Sequence, residues 1–128
     1  MRMNLLAILI IYNCKIEEAK TLNSLLKNYA KNPKAFRNFK LIIYDNSLIE
    51  QKICLSIPFE YEYVHDHNNK GLAVAYNYAL NKAAVAYYGW LLLLDQDSSL
   101  PEDFIYNLSY DLSGLKKDNT VVAVVPKM

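Results

Sequence analysis

Five bulky uncharged residues, Trp90 to Leu94, run directly into two aspartates, Asp95 and Asp97. An apolar run of this length predicts a strand that is buried on both faces, as in a parallel sheet. The aspartates then follow its carboxyl end, which is the edge where open α/β sheets bind ligands. Because two neighbouring carboxylates repel each other and are hard to desolvate together, a cation is their natural partner. The segment therefore predicts a divalent-metal site that holds a phosphate-bearing ligand.

The composition describes an ordered chain without a charge bias. Its 128 residues suit one domain, residues 1–128, with a buried core. The 14 Lys and Arg nearly balance the 13 Asp and Glu, which argues against a nucleic-acid-binding surface. The apolar run Leu5 to Tyr12 is too short to cross a bilayer, so no transmembrane segment is expected. Cys14 and Cys54 lack metal or CxxC spacing, and we interpret them as reduced thiols of a cytoplasmic protein.

The remaining chain alternates apolar runs with helical periods. Strands are predicted at residues 5–12, 40–44, 59–64, 90–94 and 120–125, and helices from residues 16, 71 and 101. Residues 48–55 suggest an additional short helix. For the helix after Gly71 we expect an inward face made of Leu72, Ala75, Tyr76, Ala79, Leu80 and Ala83. This order predicts an α/β fold, a three-layer α/β/α open and mostly parallel sheet.

The last predicted strand, residues 120–125, is followed by Pro126 and almost no further sequence. A strand without a covering helix is an aggregation liability. We therefore expect an incomplete domain that stops after about the fifth strand, or a homo-oligomer that pairs through this strand.

Other polar groups follow the predicted strands. Asp45 is either an ordinary turn residue or a carboxylate that accepts a hydrogen bond from the ring N–H of uracil or thymine. Asn69 and Gly71 open a helix and serve either as capping residues or as an anion site, since glycine allows close backbone approach. His65 and His67 lack a third ligand motif, and we interpret them as solvated. No GxSxG, Walker A or GxGxxG motif is present.

Four segments together resemble inverting family 2 glycosyltransferases of the GT-A fold, the nucleotide-diphospho-sugar transferase fold. They are residues 9–13 (LIIYN), 43–47 (IYDNS), 69–77 (NKGLAVAYN) and 93–98 (LLDQDS). The last segment, followed by LPEDF at 100–104, looks like the rhamnosyltransferase branch. The resemblance covers nearly the whole chain.

The resemblance implies a role for each matching residue. Tyr12 and Asn13 would line the nucleotide pocket and Asp45 would recognise the base. The ribose or diphosphate would lie near residues 69–71. Asp95 would contact the ribose or the metal, and Asp97 would coordinate Mg²⁺ or Mn²⁺. The reaction implied is transfer of a sugar, with rhamnose our first expectation, from a dTDP or UDP donor to a glycan or lipid-linked acceptor, in the cytoplasm or at the inner face of the membrane.

In this family the acceptor site and the general base lie after the fifth strand, so the catalytic base is unknown and expected beyond the C-terminus. The chain then resembles a donor-binding half. Two alternatives stay open. One is a non-catalytic nucleotide-sugar-binding or assembly module. The other is a metal-dependent phosphohydrolase or nucleotidyltransferase, which also uses aspartate pairs at strand ends.

Overall fold

The computed structural model describes residues 4–68, 71–86 and 88–114 and the backbone of residues 122–124. The strands are β1 Leu5–Ile11, β2 Phe39–Asp45, β3 Glu60–His65, β4 Trp90–Leu94 and β5 Val122–Val124. The helices are α1 Lys20–Lys31, α2 Leu72–Val85 and α3 Phe104–Ser113. Short 3₁₀ turns, Ile16–Glu18 and Pro33–Phe36, flank α1. In the described residues no helix is long and apolar enough to span a bilayer.

The five strands form one sheet in the order β3-β2-β1-β4-β5, and every neighbouring pair is parallel. β1 is central, and all seven of its residues are buried. Its continuous aliphatic sequence fits that position, since a central parallel strand is covered on both faces. Edge strand β3 has no fully buried residue, which matches its alternating sequence. The predicted open parallel sheet is confirmed.

Helices cover both faces of the sheet. On one face, α1 and α3 pack against alternate residues of β1, β2 and β4 in a core that includes Leu9, Leu22, Leu92 and Ile105. On the other face, α2 packs against Ile8, Ile42 and Leu91. Because successive strand residues point to opposite faces, the continuous apolar runs supply both cores. The predicted three-layer α/β/α arrangement is therefore confirmed.

The suggested helix at residues 48–55 is wrong. The whole connection from β2 to β3 is irregular chain, and Leu48 and Ile49 are 75% and 76% exposed. Ser47 N–H donates to Asp45 Oδ1 at 3.0 Å. This bond closes an Asx turn ahead of the predicted helix. Ile53 and Leu55 pack against the core from this irregular chain.

The inward face of α2 differs from the predicted one. Its buried residues are Ala75, Ala79 and Ala83, whereas Leu72 and Leu80 are 55% and 43% exposed. Alanines four residues apart share one face and let the helix axis approach the sheet closely. The helix is apolar over most of its circumference, so the periodicity did not distinguish the alanine face from the leucine face.

Two helix starts also differ from prediction. A 3₁₀ turn and Ala19 precede α1, which begins at Lys20 instead of Ile16. α3 begins at Phe104 instead of Pro101, and Phe104 N–H donates to the Pro101 carbonyl at 3.0 Å. Gly114 ends α3 as predicted. These shifts leave the sheet edge unchanged.

Candidate functional site

The predicted site residues come from the carboxyl ends of β1, β2 and β4 and from the start of α2. In this strand order, β2 and β3 lie on one side of β1, and after β3 the chain crosses to β4 and β5 on the other side. Ligands of open α/β sheets bind in the crevice at such a reversal. The register pairs Ile11 with Asp45 and Leu9 with Leu94, so the segments that follow these strands meet at one edge.

The segment after β4 folds into a tight turn around Asp95. Its Oδ1 accepts hydrogen bonds from Ser98 Oγ at 2.6 Å and from Asp97 N–H at 3.2 Å. Both aspartates are exposed. The turn therefore uses one oxygen of Asp95 internally, while Asp97 makes no side-chain hydrogen bond within the described part of the chain.

Gln96, between the two aspartates, joins this turn to the end of β1. Its Oε1 accepts from Tyr12 N–H at 2.8 Å, and its Nε2 donates to the Tyr12 carbonyl at 3.2 Å. The side chain thereby satisfies both polar backbone groups of Tyr12, whose side chain is 49% exposed. The arrangement places the aspartates directly beside the residue that follows β1.

A polar row on α1 holds the rest of the segment after β4. Backbone N–H groups of Ser98, Leu100 and Ile105 donate to Thr21 Oγ1 at 2.9 Å, Ser24 Oγ at 3.0 Å and Asn28 Oδ1 at 2.9 Å. Thr21 also donates to the Asp95 carbonyl. These side chains are three and four residues apart, so they share one helix face.

The polar row also explains why polar residues lie among the apolar positions of α1. Thr21 is 0% and Asn28 is 2% exposed, and buried polar groups need partners. Asn28 Oδ1 satisfies an N–H at the start of α3, where intrahelical acceptors are missing. The row therefore fixes the position of the Asp95 turn relative to α1 and α3.

Asp45 ends β2 and is 0% exposed. Its Oδ1 accepts from Ser47 N–H at 3.0 Å. Its Oδ2 accepts from the Tyr63 hydroxyl at 2.7 Å and from Gln51 Nε2 at 3.2 Å. These donors come from the chain itself and supply the partners that a buried carboxylate requires. The contact of Asp45 with a nucleotide base stays a prediction.

An open cavity lies at this edge of the sheet. Its volume of about 630 Å³ is typical of sites for small ligands. One wall comes from the segment after β1 and the other from the segment after β2. Asn13 joins the walls, since its N–H donates to Ser47 Oγ at 2.9 Å. Asn13 also adopts a φ of +48°, which asparagine tolerates better than most residues. The lining residues are Asn13, Cys14, Lys15, Glu17, Glu18 and residues 47–52.

Carboxylate charges act on two titratable side chains at this edge, Cys14 and Tyr76. Burial raises the pKa of the Cys14 thiol, and the charges of Asp97, Glu18, Asp45 and Glu17 raise it further. On the opposite face of the sheet, burial raises the pKa of Tyr76, and the charge of Asp95 adds to it. Acidic charge therefore reaches both sides of the strand ends, which favours a bound cation.

Gly71 precedes α2 with a φ of +97° and a ψ of 173°, a conformation that is essentially restricted to glycine. The N-cap residue, Gly71, has no side chain that could cap α2, and the first turn of the helix contains no acidic residue. The N-terminal amides of a helix and its dipole favour an anion there. Asn69, the other predicted residue of this segment, lies outside the described residues.

Asp95 and Asp97, the predicted metal-binding residues, suit a cation that is also bound by the phosphates of a substrate. Within residues 4–68, 71–86 and 88–114, no three or more His, Cys, Asp or Glu side chains are grouped as a metal site. Mg²⁺ is commonly held by one or two carboxylates together with substrate phosphates and water. Asp95 and Asp97 supply carboxylate oxygens at an exposed turn, so the donor set suits that kind of site.

The two histidines differ from each other. His67 is exposed, in agreement with its interpretation as a solvated residue. His65 is half-buried, and its Nε2 lies 2.9 Å from the Ser47 carbonyl oxygen, to which it donates. His65 therefore holds the segment after β2.

Sequence reasoning missed Gln51, Tyr63, Gln96 and the polar row of α1. The row had a detectable pattern, because Thr21, Ser24 and Asn28 interrupt an apolar face at helical spacing. The two glutamines had none, since their partners lie in distant segments. Gln51 bonds to Ile16 across 35 residues, and Gln96 bonds to Tyr12 across 84.

Comparison with known proteins identifies the family. A family model described as glycosyl transferase family 2 matches residues 7–127, which is more than half of the chain and includes every predicted site residue. A search of curated proteins found no match, and a search of solved structures found none. The parallel three-layer sheet agrees with the GT-A-like fold that the sequence resemblance implied. The chain belongs to glycosyl transferase family 2.

Proposed function

We propose that this chain binds a nucleoside diphosphate sugar at the carboxyl edge of the sheet and takes part in inverting transfer of the sugar to a glycan or lipid-linked acceptor. The donor is a dTDP-sugar or a UDP-sugar. The sugar we propose first is rhamnose, because of the likeness of residues 95–98 to the rhamnosyltransferase branch. The reaction takes place in the cytoplasm or at the inner face of the membrane.

The observation that carries the proposal is the placement of Asp95 and Asp97 at the end of β4, next to the residues that follow β1. Family membership supports a nucleotide-sugar donor in general. The cavity between the segments after β1 and β2 has the volume of a small-ligand site and lies at the carboxyl edge of the sheet.

The residues take separate parts in donor binding. Tyr12 and Asn13 line the nucleoside pocket, and Asp45 recognises the base. Asn69 and Gly71, at the start of α2, approach the ribose or diphosphate, where helix amides favour an anion.

Asp97, with Asp95, would hold Mg²⁺ or Mn²⁺. When bound, the cation supplies positive charge that stabilises the departing nucleoside diphosphate. The chain's own contribution is positional. The polar row of α1 and the Gln96–Tyr12 pair hold the two carboxylates at the sheet edge.

The test is calorimetric titration of UDP and dTDP into the purified chain with Mn²⁺ or Mg²⁺, and again with EDTA. We expect binding that requires the cation and is lost in Asp97→Asn. Glu102→Gln is the matched control, since Glu102 is an exposed carboxylate whose contact with Lys31 spans 3.9 Å. Absence of binding by a folded wild-type chain contradicts the proposal.

An activity assay separates the alternatives. Supplied with dTDP-rhamnose or a UDP-sugar and a lipid-linked acceptor, a glycosyltransferase releases the nucleoside diphosphate in step with glycosylated acceptor. Hydrolysis without acceptor indicates a phosphohydrolase, and transfer of the nucleotidyl group indicates a nucleotidyltransferase. Binding without any turnover indicates a donor-binding module.

A further inference from the structure

The side chain of Gln51 joins the two walls of the cavity, in addition to the bond between Asn13 N–H and Ser47 Oγ. Its Oε1 accepts a hydrogen bond from Ile16 N–H at 3.0 Å, and its Nε2 donates to the Cys14 carbonyl at 2.8 Å. Both partners belong to the wall after β1. The two bonds use the amide as an acceptor and a donor towards the same segment, so only one orientation of the amide satisfies both.

Gln51 also forms hydrogen bonds on the side of the cavity to which it belongs, the side after β2. Its Nε2 also donates to Asp45 Oδ2 at 3.2 Å, and its backbone N–H donates to the Tyr63 hydroxyl oxygen at 2.9 Å. Tyr63 in turn donates to Asp45 Oδ2 at 2.7 Å. Gln51, Tyr63 and Asp45 therefore form a closed triangle of hydrogen bonds.

Tyr63 keeps its proton in this triangle over a wide pH range. Burial raises the pKa of Tyr63 to about 12. The Gln51 backbone N–H opposes the shift, and the Asp45 carboxylate increases it. The hydroxyl is thus a constant donor to Asp45 near neutral pH.

Gln51 lines the cavity, whereas Asp45 and Tyr63 do not. It is therefore the member of the triangle that a ligand in the cavity meets first. The wall after β2 has no helix to make it rigid, so side-chain bonds such as those of Gln51 carry its conformation.

We propose that Gln51 is a positioning residue for the nucleoside part of the donor, because it holds the two cavity walls at a fixed separation and keeps the buried Asp45 carboxylate in place. The inference rests on the proposed function in one respect, that the donor nucleoside occupies this cavity. The coupling of the walls is a property of the chain without ligand and is measured separately.

The first experiment compares Gln51→Ala and Gln51→Glu with wild type, using UDP, dTDP and Mn²⁺ as probes. Cys54→Ala is the control, because Cys54 is an exposed residue of the same connection outside the cavity. Urea unfolding verifies that each variant folds. We expect both Gln51 variants to bind the nucleotide about tenfold more weakly, as expected for the loss of one or two hydrogen bonds. Unchanged or tighter binding by Gln51→Ala overturns the proposal.

The pH dependence of Gln51→Glu distinguishes positioning from simple space filling. The substitution keeps the side-chain volume and an acceptor for Ile16 N–H but removes the donor to Cys14 and places a charge beside Asp45. As the pH falls, the introduced carboxyl protonates and donates again. We expect its affinity to recover towards that of wild type at the same pH. A variant that equals wild type at every pH overturns the proposal.

Amide hydrogen exchange without ligand tests the coupling itself. We expect faster exchange at Ile16, which loses its acceptor in Gln51→Ala, and at Asn13, whose N–H bonds to Ser47 in the opposite wall. Faster exchange at Ile16 alone means that the walls are not coupled and overturns the proposal. If wild type binds neither nucleotide, the proposed function fails, and the exchange of Asn13 still decides whether Gln51 couples the walls.

Discussion

The side-chain amide of Gln96 forms two hydrogen bonds with the backbone of Tyr12, 84 residues earlier in the chain. The contact continues the pairing of β1 with β4 beyond their last registered residues, Leu9 and Leu94. The turn that carries the two aspartates is thus attached to the central strand by a side chain where no further strand ladder exists.

Gln96→Ala removes both bonds to Tyr12. We expect a loss of about 1–3 kcal/mol in the free energy of unfolding, the usual range for one or two hydrogen bonds. Cation-dependent nucleotide binding should fall as well, because Asp95 and Asp97 lose their attachment to β1. Urea unfolding and calorimetry measure the two effects. Ser99→Ala, an exposed neighbour, serves as control. Equal stability of both variants would contradict this account of Gln96.

Gly71 and Gly114 offer a matched pair of glycine substitutions. Gly71→Ala forces a side chain into a φ of +97°, and we expect about 1–3 kcal/mol of destabilisation from backbone strain. Steric contact does not contribute, since a Cβ at Gly71 meets no atom within 4 Å. Gly114 has a φ of −84°, and its Cβ would lie 3.7 Å from the Asp111 carbonyl oxygen. Gly114→Ala should therefore be neutral or stabilise by up to about 1 kcal/mol.

Thermal or urea unfolding of the two variants provides the comparison. A Gly71→Ala protein as stable as Gly114→Ala would mean that the turn before α2 relaxes to an ordinary backbone conformation. In that case the close approach of this backbone to a diphosphate would lose its structural basis.

Cys14 should report a cation at Asp97. Burial raises the pKa of its thiol, and the charge of Asp97 is the next cause. Because only the thiolate is alkylated, neutralising Asp97 should lower the pKa and accelerate alkylation. In a Cys54→Ser background, we expect Cys14 to react faster with iodoacetamide when Asp97 is replaced by asparagine. When Asp97 is kept, we expect the reaction of Cys14 to become faster on addition of Mn²⁺. Mass spectrometry follows the rate.

The Asp97→Asn chain should show no further acceleration with Mn²⁺. A response to the cation that persists in this variant would place the bound ion elsewhere. Glu102→Gln should leave the alkylation rate unchanged, since Glu102 is not among the charges that act on Cys14.

Glu62 should make the stability of the edge strand dependent on pH. Burial alone would raise the pKa of Glu62, but hydrogen bonds from Tyr78 and Lys40 and the charge of Lys82 outweigh it and lower the pKa below 4.5. A carboxyl whose pKa is lowered on folding stabilises the protein above its unfolded pKa and loses that contribution as the pH falls. Glu62→Gln should therefore be less stable than wild type at neutral pH.

The difference between wild type and Glu62→Gln should shrink in acid, as measured by urea unfolding at neutral pH and below pH 4.5. Glu60→Gln is the control on the same strand. Its side chain is 65% exposed and lies 3.8 Å from Lys40, so it should contribute little at either pH. A constant difference for Glu62→Gln would show that its ion pairs do not stabilise the fold.

Local patterns in the sequence were sufficient to predict the order of the elements. The uninterrupted runs of β1 and β4 indicated strands with two covered faces, and the alternation of β3 indicated an edge strand. The helix starts were less predictable. Ile16 begins a 3₁₀ turn and not α1, because Ala19 adopts an extended backbone conformation, with φ −68° and ψ 117°, between the turn and the helix.

The sequence by itself determined the parallel α/β fold and the position of Asp95, Asp97 and Gly71 at the ends of elements. Periodicity and glycine chemistry act between near neighbours, so they are visible without a structure. The tertiary structure alone decided which face of α2 is buried and which donors surround Asp45. It also decided that Thr21, Asn28 and Gln96 hold the aspartate turn. These choices depend on sheet register and helix docking, which bring together hydrogen-bonding groups that lie up to 84 residues apart in the chain.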